Sequence, residues 1–201
     1  RGDREKAEEY YLKAMKIEER ILNGENIHLA MTYNNLATLY LSRNQDDDLN
    51  KAEKLYFKAL SIWEKKFGKV HPKIALVYCN LSAVYQERHQ PGDCKQAELL
   101  LCDAINIFET TLGEDHPYAA TAYNNLGSLY QENKLNLDEA ERYLLKAKKI
   151  CENVYGVQHP NTIKVYQRLM ILYGERKQPG DHEKSLEYLY KSGTIKQLRK
   201  M

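Results

Sequence analysis

Carboxamide side chains recur through this sequence in a fixed relation to tyrosine. Asn34 and Asn35 follow Tyr33, Asn80 comes two after Tyr78, and Asn124 and Asn125 follow Tyr123; in a fourth instance Tyr166 is followed by Gln167 and Arg168. A primary amide carries two donors and an acceptor. A row of them can therefore clamp the main chain of an extended peptide without reading its side chains. Such amides can equally satisfy the backbone of a neighbouring helix, and for Asn34 and Asn124 both readings stand. Thr38, Ala83, Ser128 and Ile171 follow one helical turn further on, and the small ones among them leave room for a bound side chain. Gln86, Glu87, Gln131 and Glu132 come one turn beyond, either lining the same face or simply solvated. Lys164 and Arg168, spaced i and i+4, form a basic pair suited to an acidic side chain or a C-terminal carboxylate, with plain surface charge as the alternative.

The remaining reactive residues point to little chemistry. His71, His116 and His159 each precede a proline at the same phase of a repeat. Whole repeats separate them, on the order of 10–20 Å, which is too far to share one ion; they are expected to cap the preceding helix end or support the turn. Asp46, Asp47 and Asp48 lack the glycine and the downstream glutamate of a calcium loop, so they read as a solvated turn. The four cysteines, Cys79, Cys94, Cys102 and Cys151, form no CxxC pair and read as free packing thiols, with Cys79 alone at a reachable position. There is no nucleophile elbow, no phosphate-cradling glycine loop and no isolated carboxylate pair, so neither an enzyme nor a cofactor is expected. Lys+Arg number 30 against 28 Asp+Glu, interleaved over 201 residues, which disfavours nucleic acid or an anionic membrane as a partner. Mean hydropathy is −0.68, and no apolar run approaches the roughly 18 residues of a spanning helix. With no signal-like segment at its start, the chain is expected in the cytoplasm.

These residues are positioned by a repeat. The segment from Tyr33 to Tyr40 returns from Tyr78 to Tyr85, from Tyr123 to Tyr130 and, more loosely, from Tyr166 to Tyr173, at offsets of 45, 45 and 43. Lys6-Ala7-Glu8, Lys51-Ala52-Glu53, Gln96-Ala97-Glu98 and Glu139-Ala140-Glu141 keep the same beat, with Lys184-Ser185-Leu186 as a decayed fifth copy. A third block runs Gly68 to Pro72, Gly113 to Pro117 and Gly156 to Pro160, with Asn23 at the glycine position of the first copy. Tyr33, Leu36, Leu39 and Tyr40 share one face of a helix, and Ala52, Leu55, Tyr56, Ala59, Leu60, Ile62 and Trp63 form a broader stripe on the next. The glycines suit positive φ at helix ends, and the prolines suit the first turn of the following helix. The spacing predicts a leading helix over 4–22, then pairs at 27–43 and 50–66, 72–89 and 94–112, 117–133 and 138–155, and 160–177 and 182–192. Beyond Gly193 the chain is basic, either a further helix start or a tail.

Paired helices entered through Lys-Ala-Glu, with Asn-Asn-Leu-x-x-Leu-Tyr in the first of each pair, resemble tetratricopeptide repeats. The Leu-Gly-x-x-His-Pro junction is more narrowly similar to the kinesin light chain family. The resemblance covers nearly the whole chain and implies an all-α, right-handed α-solenoid of stacked antiparallel helix pairs in one domain over 1–201. It departs at Gln167-Arg168 and in a leading helix without its partner, which suggests a piece of a longer protein. It also implies that the first helix of each pair lines a concave groove, and that Asn35, Asn80 and Asn125 hold a peptide backbone there. The implied role is an adaptor for an extended segment of a partner protein, with motor cargo as one candidate. The competing reading is a scaffold or self-association module whose groove is empty.

Overall fold

The computed structural model describes residues 2–21, 26–45, 47–134 and 136–193. Among them lie nine helices and no strand: α1 (Gly2–Ile21), α2 (Ile27–Arg43), α3 (Asp48–Phe67), α4 (Pro72–Arg88), α5 (Asp93–Leu112), α6 (Pro117–Glu132), α7 (Leu137–Tyr155), α8 (Pro160–Arg176) and α9 (Asp181–Lys191). Each expected helix is present with its ends within two residues. Asn23 and the basic stretch after Gly193 fall outside the described residues.

Local chemistry explains the boundaries. Pro72, Pro117 and Pro160 open their helices, where the missing N–H has no helical partner to lose. The preceding histidines are N-caps of those helices. His71 Nδ1 accepts from the Lys73 N–H at 3.2 Å, His116 from Tyr118 at 3.1 Å and His159 from Asn161 at 3.2 Å. The expectation that they cap the preceding helix end is thus corrected: a residue before an N1 proline has the extended backbone that an N-cap requires. His71 and His159 also stack on Phe67 and Tyr155, at 4.3 and 4.4 Å between ring centres. Gly68 and Gly156 close α3 and α7 with φ of +77° and +80° and ψ of 178° and 167°. That region is open only to glycine, and a Cβ at either position would meet nothing within 4 Å, so conformation rather than space demands the residue.

The helices pack as two compact units, residues 1–107 and 108–201. In the first, α1 packs on α2, α2 on α3 and α3 on α4; in the second, α6 packs on α7, α7 on α8 and α8 on α9. Small residues let paired helices approach. Ala37 and Ala59 are fully buried in the first unit. In the second, a Cβ on Gly127 would stand 2.7 Å from Leu144 Cγ and 3.2 Å from the Ala140 carbonyl.

A polar lattice joins neighbouring helices within each unit. Tyr33, Tyr123 and Tyr166 donate to Glu19, Glu109 and Glu152 of the preceding helix. Tyr40 and Tyr173 donate to Glu8 and Glu141 at 2.9 and 2.5 Å. The tyrosine hydroxyls are thus half of a hydrogen-bonded ladder. Arg43, Arg88 and Arg176 hold both oxygens of Asp48, Asp93 and Asp181 at 2.6–3.0 Å and reach Glu8, Glu53 and Glu141 at 2.5–2.7 Å. Asp48 is only 2% exposed, so the expected solvated turn is corrected for this residue. It starts α3 early because Arg43 pulls its carboxylate inward and the Gln45 N–H donates to it. In the third repeat Asn133 and Asn136 stand where the arginine and aspartate would be, and each bonds locally.

Candidate functional site

The expected binding residues lie on the first helix of each pair, and the second unit gathers several of them around one cleft. α6 contributes Pro117, Ala120, Thr121, Asn124 and Asn125, spaced by three and four residues along one face. α8 faces it with Asn161, Lys164 and Val165, and Cys151 and Tyr155 of α7 form the rest of the wall. The cleft holds about 160 Å³. That is below the roughly 300 Å³ of a small-molecule site and fits a short side chain or a carboxylate with its waters. Asn124 Oδ1 is buried without a hydrogen-bond partner. Its amide therefore does not satisfy a neighbouring helix here, one of the two alternatives for this residue. Lys164 is exposed, makes no ion pair among the described residues, and has no carboxylate beside it in the wall. Burial raises the Cys151 thiol, which stays protonated and nonpolar in character.

Other expected residues divide. Arg168 does not stand free beside Lys164: its Nη1 donates to Glu132 Oε1 of α6 at 2.6 Å. Gln131 is 3% exposed and donates through Nε2 to Glu175 of α8 at 3.0 Å, so it neither lines a surface nor meets solvent. Ser128 is buried as well, with its hydroxyl unpaired. The Gln131 correction has a packing cause. α8 packs directly on α6, covering positions that the isolated helix would expose.

In the first unit α2 packs on α4 in the same relation, and Asn44 Nδ2 donates to Glu87 at 3.0 Å between them. Asn35 and Thr38 are exposed, and Asn34, Asn80 and Ala83 are half-buried. The Thr38 hydroxyl bonds the Asn34 carbonyl at 2.9 Å and lies 3.0 Å from the Tyr56 hydroxyl, so it holds the helix pair together besides bordering the face. Cys79 is not reachable. It is 6% exposed and burial pushes its pKa up to about 12, whereas Cys102 is the exposed thiol. The arginine ladder was not anticipated. Its signal was the spacing of Arg43 to Asp48, Arg88 to Asp93 and Arg176 to Asp181, five residues across each turn.

Phased helix pairs, small residues at their crossings and polar side chains along the first helix of each pair define an all-α repeat protein of the interaction-scaffold class. The tetratricopeptide repeat profile matches residues 42–110 and 118–196, and the chain belongs to that family, whose repeats are non-catalytic protein-interaction modules. No curated protein matches the sequence. Among solved structures it is similar to BtubC (BKLC) from P. vanneervenii, at 25% identity and a TM-score of 0.78, over 99% of this chain and 75% of that one. It is also similar to nearly identical TPR-like repeats of a Podosopora anserina protein named as a kinesin light chain. One such structure has 19% identity and a TM-score of 0.76 over 98% of this chain and 90% of that one, and another 22% and 0.73 over 97% and 88%. The repeats are thus of the kinesin-light-chain-like kind in fold. No helix among the described residues is long and apolar enough to cross a membrane.

Proposed function

We propose that the chain is a cytoplasmic adaptor that binds an extended, acidic segment of a partner protein along the first helices of its repeats. The observation that carries this reading is the α6–α8 cleft, where a buried amide oxygen without a partner and an unpaired ammonium face the same space. Asn124 and Asn125 offer donors and acceptors to a main chain, and Lys164 offers a counter-charge to a carboxylate. Asn35 and Asn80 present the same groups on the first unit. The likeness to kinesin-light-chain repeats makes motor cargo one candidate partner.

The test replaces one amide in each unit, Asn80→Ala with Asn125→Ala. Acidic dodecapeptides selected from a displayed library on the wild-type chain should lose about tenfold in affinity or more, roughly 1.4 kcal/mol, at an unchanged melting temperature. Unchanged affinity, or selection without enrichment of Asp and Glu, refutes it. A mass in size-exclusion chromatography that rises with concentration would instead favour the scaffold reading.

A further inference from the structure

One site in the first unit departs from the charge pattern of its own siblings. In the first repeat, Tyr33 donates to Glu19 at 2.7 Å, and the Lys58 ammonium lies 5.0 Å from the ring centre and 3.6 Å from Glu19. In the third, Tyr123 donates to Glu109, and Lys146 sits 4.7 Å over its ring and 3.1 Å from its hydroxyl. The corresponding residues of the second repeat are Tyr78, Glu64 and Asp103, so a carboxylate stands where a lysine stands in both siblings. Tyr33 and Tyr123 are 6% and 4% exposed, while Tyr78 is only half-buried and has no hydrogen bond among the described residues. A pocket of about 580 Å³ opens beside it, floored by Leu60 and Leu100, with Phe57, half exposed, and Glu64 and Lys65 on its rim. Burial above all, with the charges of Glu64 and Asp103, raises the Tyr78 hydroxyl pKa.

We propose that this pocket docks a lysine of a partner protein together with an adjacent apolar side chain. The ammonium would take the place that Lys58 and Lys146 occupy in the sibling repeats, over the Tyr78 ring and between Glu64 and Asp103. Its methylene stem and the apolar neighbour would cover Leu60, Leu100 and Phe57. Glu64 on the rim and Asp103 at the phase of the siblings' lysine select a cation over Tyr78, and the apolar floor selects one carried on a hydrophobic segment. The site is built from α3 and α5 around Tyr78 of α4 and does not depend on the amide cleft.

Asp103→Lys fills the site from within. Dodecapeptides from a displayed random library, selected on the wild-type chain and counter-selected on D103K, should carry lysine beside Leu, Ile, Phe or Met. A labelled peptide should bind the wild type about tenfold more tightly than D103K, and lose about tenfold when norleucine replaces its lysine. D103K should melt no lower than the wild type, since the new ammonium meets Glu64 and Tyr78. Glu64→Gln, which changes no volume, should weaken the same peptide several-fold and serves if D103K fails to fold. Peptides without lysine, peptides that bind both chains alike, or no survivors of the counter-selection overturn the proposal, and none of these outcomes bears on Asn80 or Asn125.

Discussion

Replacing Arg176 with Met should destabilise the second unit and invert the sign of its response to acid. Arg176 holds both oxygens of Asp181 at 2.9 and 3.0 Å, and its remaining nitrogen reaches Glu141 at 2.6 Å and Asp138 at 2.8 Å. Asp138 is exposed, and Glu141 keeps Tyr173 at 2.5 Å and Lys184 at 3.4 Å, so both have other means of solvation. Asp181 is 1% exposed and would retain only the Gln178 N–H at 2.8 Å. Leaving a buried carboxylate unpaired costs about 3–5 kcal/mol. For a chain of this size that is about 6–20 °C in Tm. In the wild type the Arg176 hydrogen bond holds the Asp181 pKa below the usual range, so its contribution is whole above about pH 4 and is lost as pH falls. In R176M desolvation is opposed only by the Gln178 N–H and the Lys184 charge, so that pKa should rise and the variant should gain stability as pH falls from 7 toward 5 while the wild type does not. Urea unfolding at both pH values reads the sign directly. The double variant R176N/D181N removes both charges, as the third repeat does with Asn133 and Asn136 in its shorter turn, and should recover most of the loss. A loss below about 1 kcal/mol in R176M, an unchanged pH slope, or a double variant no better than the single one would refute the reasoning.

The titration of the whole chain should show two limits. Burial, with facing carboxylates at Tyr40 and Tyr85, pushes the pKa of Tyr40, Tyr56 and Tyr85 up to about 12, against about 10 in the unfolded chain. Their contribution is complete below about pH 10 and is lost between about 10 and 12, so circular dichroism should show alkaline unfolding that begins as free tyrosine ionises. Asp48 and Asp93 are held low by the hydrogen bonds of Arg43 and Arg88, so a second loss should come as pH falls below about 4. Stability unchanged up to pH 12 would contradict the tyrosine ladder. Ellman's reagent should modify Cys102 first in the native chain and Cys79 only on unfolding; rapid labelling of Cys79 would mean that α4 opens locally.

Helix positions were legible in the sequence because their determinants are local. Pro72, Pro117 and Pro160 each mark a first turn, and Gly68, Gly113 and Gly156 mark ends with φ of +77°, +93° and +80°. What a side chain meets across the gap to another helix was less legible. Gln86 and Gln131 hold the same repeat phase, yet Gln86 is half-buried and bonds the Ser82 carbonyl of its own helix, while Gln131 is sealed against Glu175. The partner of Gln131 sits on α8, 44 residues away, and no spacing within α6 encodes it. The third arm of each arginine contact behaves likewise, because Glu8, Glu53 and Glu141 lie 35 residues upstream of the arginines they bind.

Internal copies supply a control that single-copy folds lack, and departures from the repeat fall into two kinds. Where the third repeat loses its arginine it also loses the aspartate, in a turn two residues shorter, and Asn133 and Asn136 satisfy the helix ends themselves. Both partners changed, nothing is left uncompensated, and stability alone accounts for the result. Where the second repeat loses its lysine, the glutamate and the tyrosine remain, a further carboxylate is added, and the apolar floor stays open. That change removes a cation without removing what the cation served. A fold selected only for stability gains nothing from exchanging that lysine for Asp103, whereas a surface that accepts a foreign lysine does. The amides divide by atom: the Gln131 nitrogen has a partner inside the unit, while its oxygen and that of Asn124 have none.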